Sequence, residues 1–230
     1  MTREILLLDV TEMSGAHVCV AGIDPASCEQ IRLADPTPTR ALLRRLGGLA
    51  PGDLIVVDCQ PLRRPTPPHT EDARWDPASL VKVRTLEFDE VCAIVSQCSF
   101  GSIKDAFGPA AGTGASGNHF WPPGRGSRSL ATVRATYVRT MVDGGGTPRV
   151  ALRDEGGRYY RSVPFQDLAV KTHSETCGSC DVAARLREEF DGNGVFVRVG
   201  LTRPYSPDAR PPACWLQVTN VFARPRAHFR

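Results

Sequence analysis

Residues 37–47 read Thr-Pro-Thr-Arg-Ala-Leu-Leu-Arg-Arg-Leu-Gly, and in this run an alternating strand pattern gives way to a helical one. A threonine followed by proline suits the start of a helix, Leu42, Leu43 and Leu46 share one helical face, and Gly47 ends it. The flanking runs predict three strands before this helix and two after it, over Glu4–Val10, Ala16–Ile23, Cys28–Ala34, Asp53–Gln60 and Leu80–Phe88. A helix between the third and fourth of five strands is the element order of the OB barrel, a fold that binds oligonucleotides and oligosaccharides.

The second half of the chain repeats this order of elements. Its strands are predicted over Thr132–Val142, Thr147–Arg153, Arg158–Phe165, Gly194–Thr202 and Ala213–Ala223, with Asp167–Val170 continuing the third. A helix over Asp181–Phe190 again falls between strands three and four, and Asp89–Cys98 predicts a short helix at the end of the first unit. The sequence therefore predicts an all-β protein with short helices, built as two OB-like five-stranded barrels in tandem. The expected domains are residues 1–100 and 130–230, joined by a Gly- and Pro-rich linker over 101–129.

Composition and the N-terminal sequence favour a soluble globular chain. The 230 residues are 41% hydrophobic and 23% charged, which is typical of a folded protein. The apolar run Ile5–Leu8 stops at Asp9, too early for a membrane span, and no signal-peptide pattern is present. We expect a cytoplasmic protein without a membrane partner. In that compartment most of its eight cysteines should be reduced.

Charge is divided unevenly between the two halves. Residues 1–117 carry 11 Lys and Arg against 15 Asp and Glu, a balance of −4, whereas residues 118–230 carry 17 against 10, a balance of +7. Such asymmetry indicates a polyanionic partner for the second half.

The third strand of the second half reads Arg-Tyr-Tyr-Arg-Ser-Val-Pro-Phe over residues 158–165. Strand alternation puts Arg158 and Tyr160 on one face and Tyr159 and Arg161 on the other. A single-stranded nucleic acid needs this pairing, because a base stacks on a ring while a cation meets the neighbouring phosphate. The predicted nucleic-acid-binding residues are Arg134, Arg139, Arg149, Arg153, Arg158, Tyr160, Arg161, Arg198, Arg203 and Tyr205. The basic C-terminal segment over residues 224–230 is a second candidate element, although a solvated terminus would look the same.

The cluster of residues best suited to metal binding or redox chemistry consists of His173, Cys177 and Cys180. Two cysteines separated by two residues can hold zinc, and a nearby histidine could supply a third ligand. The alternatives are a polar loop with incidental thiols and a redox pair at a helix start, although the chain lacks the alternating β-α order of a thioredoxin-like fold. Zinc is therefore the one cofactor that the sequence suggests.

A second polar group consists of His69, Glu71 and Asp72. It could bind a divalent cation or act as an acid or base, but such a run is more often a solvated loop. No nucleophile pattern is found, and we do not expect an enzyme.

Several short motifs resemble the dual OB-containing domain (DuOB) family of prokaryotes. The family opens with Cys-x-Ala-Gly and a later Ile-Arg, as Cys19–Gly22 and Ile31-Arg32 do here, without the family's flanking tryptophan and proline. The remaining similar segments are Asp53–Val57, His69–Asp72, Val199–Tyr205 and Cys214–Val218. The resemblance implies a tandem OB protein that acts as a nucleic-acid sensor or adaptor in bacterial antiphage or conflict loci, with an effector protein from the same locus as a partner.

These observations favour a non-catalytic protein that binds single-stranded or structured nucleic acid through its second barrel. One alternative is an interaction subunit that docks an effector without binding nucleic acid. Another is a sensor that recognises a nucleotide or modified base between the barrels.

Overall fold

The computed structural model describes residues 1–176, 179–192, 195–207 and 211–223, and for residues 179–181 only the backbone. The first half contains a sheet of six strands, a short helix between strands three and four, and a longer helix at its end. These elements are β1 (Thr2–Glu12), β2 (Val18–Ile23), β3 (Gln30–Asp35), α1 (Arg40–Arg45), β4 (Asp53–Pro61), β5 (Asp72–Trp75), β6 (Val81–Thr85) and α2 (Phe88–Gln97).

The first sheet closes into a five-stranded barrel. Its order is β1-β2-β3-β5-β4, and β4 pairs back onto β1. The β3–β5 pair is parallel, whereas the other pairs of the barrel are antiparallel. The Thr39 hydroxyl caps α1 by accepting the Leu42 amide at 3.2 Å, and Leu43 enters the barrel core. The local signals in residues 37–47 thus correctly predicted the helix that covers this barrel.

The strand that closes the barrel was predicted in the wrong place. The fifth strand of the barrel is β5, which begins at Asp72, the last residue of the run interpreted as a polar loop. It is not the predicted strand over Leu80–Phe88. β5 pairs with β3 and β4 because Ala73 and Trp75 fill the core while Asp72 meets Arg32 of β3. β6, which lies inside the predicted segment, instead pairs with β4 outside the barrel.

β1 is buried on both of its faces, which explains its continuous apolar run. Ile5 and Leu7 belong to the barrel core, while Leu6 and Leu8 pack in a second cluster with Val91 and other residues of α2. Glycine is required opposite this strand, because a Cβ atom on Gly22 would lie 2.0 Å from the Leu6 carbonyl oxygen.

The second half forms a seven-stranded sheet with the order β11-β10-β9-β12-β13-β8-β7. Its elements are α3 (Ile103–Phe107), β7 (Gly112–Thr113), β8 (His119–Trp121), β9 (Leu130–Val142), β10 (Pro148–Asp154), β11 (Tyr159–Pro164), α4 (Leu168–Thr176), α5 (Ser179–Phe190), β12 (Val195–Leu201) and β13 (Cys214–Phe222). The sheet curls into a half-barrel, and Phe165, directly after the edge strand β11, approaches Val218 of β13 through an isolated parallel bridge. The predicted fold class is confirmed: the protein is mostly β, with one closed barrel and a second barrel-like unit.

Two segments of the second half differ from prediction. The strand expected over Asp167–Val170 is the start of α4, because the Asp167 carboxylate accepts the Val170 amide at 3.0 Å and caps the helix. Residues 101–129 are not a free linker. Ile103 and Trp121 lie in the second core, and the Asn118 amide donates to the Leu216 carbonyl at 2.9 Å.

Cys28 and Cys98 form a disulfide between the turn after β2 and the end of α2, whereas Cys19, Cys59 and Cys214 are thiols.

In the described part of the chain, no helix combines the length and apolarity that a membrane crossing requires. A cytoplasmic location stays a prediction.

Candidate nucleic-acid interface

Three neighbouring strands, β9, β10 and β11, present a row of two exposed tyrosines with an arginine between them. Arg153 of β10 pairs with Tyr137 of β9 on one side and with Tyr159 of β11 on the other. The Tyr137 and Tyr159 side chains are 37% and 46% exposed, respectively. The Arg153 guanidinium lies 6.0 Å from the centre of the Tyr159 ring, within reach of a cation–π contact.

A bulge in β11 determines which tyrosine is exposed. Leu152 pairs with Tyr160 and Val150 with Val163, so that three steps along β11 match two steps along β10. The extra residue turns both Tyr160 and Val163 towards the core and leaves Tyr159 outside. Regular alternation could not show this, because a bulge shifts every later side chain to the other face.

Tyr160 was therefore wrongly predicted as a stacking residue. It is 2% exposed, and its ring meets His119 edge to face at a centroid distance of 5.0 Å. Burial raises the pKa of its hydroxyl, and the neighbouring Asp154 carboxylate acts in the same direction. Arg158 is exposed and covers the same ring at 5.6 Å. The exposed neighbour Tyr159, which was not among the predicted site residues, takes the place that Tyr160 was expected to occupy.

A groove of about 680 Å³ opens beside the tyrosine row. Its walls include Arg139, Arg161 and Ser162 from the sheet and residues 115–117 from the loop between β7 and β8. The groove thus combines two cations with the Tyr159 side chain.

Four predicted arginines carry charge that no described carboxylate neutralises. Within residues 1–176, 179–192, 195–207 and 211–223, the structure contains no ion pair for the following side chains: Arg139, Arg153, Arg158 and Arg161. All four are exposed. Arg158 directly precedes β11 and covers the ring of the inward-facing Tyr160. The other three share the face of the exposed tyrosines: Arg139 on β9, Arg153 on β10 and Arg161 on β11. This face is consequently a local concentration of positive charge.

The other predicted arginines on the surface are already compensated. Arg134 pairs with Glu155 at 2.7 Å, and Arg149 pairs with Asp143 at 2.9 Å. Arg203 follows β12 and pairs with Asp72 of the first barrel at 2.7 Å, so its guanidinium joins the two units.

Tyr205 is 49% exposed in the loop between β12 and β13, and its ring lies 6.3 Å from that of Trp215. It stands outside the lining of the groove.

Arg198 was also wrongly predicted as a surface residue. It is fully buried on β12, where its Nε donates to Asp9 at 2.7 Å and its Nη1 donates to Gln30 at 2.6 Å. The Thr219 hydroxyl donates to the same Asp9 carboxylate. β12 faces the first barrel at this position, and the sequence gives no signal for a partner 189 positions away.

A second buried polar group, which sequence reasoning took for a solvated loop, lies at the same junction. The two terminal nitrogens of Arg32 donate to Glu71 at 2.8 Å and to Asp72 at 3.0 Å, and Nη2 also donates to the Ser129 hydroxyl at 2.7 Å. His69 is 1% exposed, and its Nε2 donates to the Leu201 carbonyl at 3.3 Å. An arginine between Ile31 and Leu33 was the available signal, because a charged side chain in an apolar strand requires buried partners.

The zinc prediction falls mainly outside the described residues. His173 lies in α4, with its Nε2 3.4 Å from Nη1 of Arg185, but Cys177 and the Cys180 side chain are not described. Among the residues that are described, no group of three or more His, Cys, Asp or Glu side chains could hold a metal ion. The redox alternative and the basic segment 224–230 also lie outside the described residues.

Comparisons of the chain with protein-family models, with curated proteins and with solved structures found no match.

Proposed function

We propose that this protein binds single-stranded nucleic acid, without catalysis, across the outer face of β9, β10 and β11. The observation that carries the proposal is the row Tyr137–Arg153–Tyr159 beside the uncompensated Arg139 and Arg161. Aromatic rings accept bases of any sequence, and the neighbouring cations accept the phosphates that connect them.

The position in the fold supports the same function. β10 and β11 are the second and third strands of the second barrel-like unit, and OB domains bind oligonucleotides on this pair of strands and the adjoining loops. Neighbouring strands lie about 4.8 Å apart, so the two tyrosines flank Arg153 at a separation of roughly 10 Å. A base can therefore stack on each ring while the arginine between them contacts phosphate.

The magnitudes are those of a moderate, salt-sensitive interaction. Each stacked base contributes about 1–3 kcal/mol. Each neutralised phosphate contributes a slope of about −0.7 in the logarithm of affinity against the logarithm of salt concentration. Occupation of Arg139, Arg153 and Arg161, the three uncompensated arginines beside the exposed tyrosines, would give a slope of roughly −2.

The resemblance to the dual OB-containing domain family extends this proposal to a cellular role. The two barrel-like units fit the fold that the family would require. From the resemblance alone we propose a sensor or adaptor that passes the bound state to an effector protein in a bacterial defence locus. The alternative of an effector-docking subunit without nucleic acid predicts no oligonucleotide binding at low salt, so the binding assay separates the two.

The test is fluorescence anisotropy with labelled single-stranded DNA and RNA over a range of salt concentrations. We expect Tyr159→Ala to weaken binding by about fivefold to a hundredfold, the equivalent of one lost base stack. Tyr205→Ala is the matched control, because this tyrosine is similarly exposed but stands outside the groove. Arg139→Ala should make the salt slope less negative by about 0.7.

Two results would refute the proposal. One is the absence of oligonucleotide binding at low salt. The other is an equal loss of affinity in Tyr159→Ala and Tyr205→Ala, which would place the interface elsewhere.

A further inference from the structure

The groove beside the tyrosine row is rich in hydrogen-bond donors, and none of the described residues that line it is acidic. Arg139 and Arg161 supply two cations, and Ser116 and Ser162 supply two hydroxyl groups. These four side chains make no hydrogen bond or ion pair with another described residue. The groove therefore offers several free donors to an anion, and it offers no carboxylate to a cation.

The two arginines lie on either side of Ala151 in the sheet. Arg139 of β9 pairs with Ala151 of β10, and Arg161 lies in the bulge that faces Ala151 from β11. Because neighbouring strands lie about 4.8 Å apart, the backbone positions of the two arginines are separated by roughly 10 Å. Both side chains line the same groove. A single anionic group in this groove can therefore be contacted by both cations.

The charge of the groove matches a phosphate at the end of a strand better than a phosphate within it. An internal phosphodiester carries one negative charge. A phosphate monoester carries about −1.5 to −2 charges at pH 7 and has three strong acceptor oxygens. Two guanidinium cations therefore neutralise a monoester, whereas a diester leaves one of them uncompensated. A guanidinium can also donate two parallel hydrogen bonds to one phosphate, so a monoester would use more of the available donors.

We propose that this groove binds the terminal phosphate of a nucleic-acid strand, with Arg139 and Arg161 as the paired cations. This inference rests on the proposed function, because the exposed tyrosines hold the strand whose end enters the groove. Tyr159 lines the groove as well, so a base stacked on its ring lies beside the bound phosphate. A 5′ phosphate and a 3′ phosphate have the same chemistry, and the polarity of the bound strand determines which of them the groove receives. The protein would then recognise phosphorylated strand ends in preference to internal segments.

The experiment compares oligothymidine strands of equal length that differ only at their ends, by fluorescence anisotropy with the label on a central base. One strand has hydroxyl groups at both ends, and two others carry a phosphate at the 5′ end or at the 3′ end. Two more carry that phosphate capped with a methyl group, which removes its second charge. We expect one phosphorylated strand to bind about tenfold more tightly than the hydroxyl-ended strand, because hydrogen bonds between charged groups are strong. The methyl cap should abolish most of this gain.

Arginine variants test the location of the site. Arg139→Gln and Arg161→Gln each remove one cation from the groove and should reduce the preference for the phosphorylated strand to about twofold or less. Both arginines are exposed, so circular dichroism should show an unchanged fold. Arg134→Gln is the matched control, because Arg134 also lies on β9 but pairs with Glu155 at 2.7 Å and does not line the groove. We expect this control to keep the tenfold preference.

The remaining outcomes separate this inference from the proposed function. Equal affinity for the hydroxyl-ended strand and both phosphorylated strands, with binding still weakened by Tyr159→Ala, would overturn the inference and leave the proposed function intact. Equal gains from the 5′ and 3′ phosphates, a gain that survives the methyl cap, or a preference that survives in both groove variants would also overturn it. Each of these results would place the source of the gain outside the arginine pair. Failure of every strand to bind at low salt would refute both proposals.

Discussion

Replacement of Arg198 by methionine should destabilise the protein severely. The arginine is fully buried and binds Asp9 at 2.7 Å and Gln30 at 2.6 Å across the junction of the two units. Methionine has a similar length but no charge. After the substitution the Asp9 carboxylate would stay buried with the Thr219 hydroxyl as its remaining side-chain donor.

The magnitude follows from the loss of one partner in a buried ion pair. Leaving the other charge uncompensated costs about 3–5 kcal/mol of unfolding free energy. Replacing both charges by apolar side chains is commonly neutral or stabilising, because the desolvation cost of the pair disappears as well. That cost is high here, since Nη2 of Arg198 has no hydrogen-bond partner among the described residues. We therefore expect Arg198→Met combined with Asp9→Leu to recover most of the loss.

The assay is urea unfolding followed by tryptophan fluorescence and circular dichroism, with coincident transitions required before free energies are compared. Arg134→Met is the matched control, because that arginine pairs with Glu155 at 2.7 Å on the surface. An exposed pair of this kind contributes less than about 1 kcal/mol. Equal losses in Arg198→Met and Arg134→Met, or no recovery in the double variant, would refute this account of the junction.

Three further predictions concern stability. Burial raises the pKa of Asp167 to about 6, so the stability that its neutral form contributes is present below about pH 4 and is lost as the pH rises through about 6. Asp167→Asn should therefore gain about 3 kcal/mol relative to wild type between pH 4 and pH 8, whereas a constant difference in unfolding free energy would contradict this. Reduction of the Cys28–Cys98 disulfide, which spans 70 residues, should lower the unfolding free energy by up to about 4 kcal/mol, measured with and without dithiothreitol. A doubly serine-substituted control should not respond to the reductant. Gly22→Ala should lower the unfolding free energy by about 1–3 kcal/mol or more, because its Cβ would collide with the Leu6 carbonyl. An unchanged midpoint in urea unfolding would contradict that packing.

The sequence was informative wherever a signal is local. The Thr37-Pro38 start signal, the leucines of α1 and the turn glycines identified the covering helix and most of the strands around it. The helix begins two residues later than this signal indicated, because its cap is Thr39. β5 lacked such a signal, because Asp72–Trp75 contains only two apolar residues and its polar positions are satisfied by β3. Non-local pairing determined that strand, and a single sequence does not show such pairing.

The candidate site was predicted in outline but not in detail. The strand containing Tyr159 and Tyr160 was correctly identified, yet a one-residue bulge reversed which of them is exposed. The same limitation applies to the arginines, since composition alone does not distinguish the fully buried Arg198 from Arg161, which is exposed and has no ion pair with any carboxylate that the structure describes. Only the folded chain shows which cations have carboxylate partners.

The segment between the barrels, residues 101–129, bears on whether either half of the protein can fold without the other. The Thr70 hydroxyl donates to the Ser127 carbonyl, Ser129 binds Glu71, and Asn118 is anchored on β13, so residues 101–129 are attached to both halves. A gene fragment that encodes either half alone would leave buried charged side chains of that half without the partners that the other half supplies, such as Asp9 without Arg198. We therefore expect neither half to fold as an independent domain when it is expressed alone.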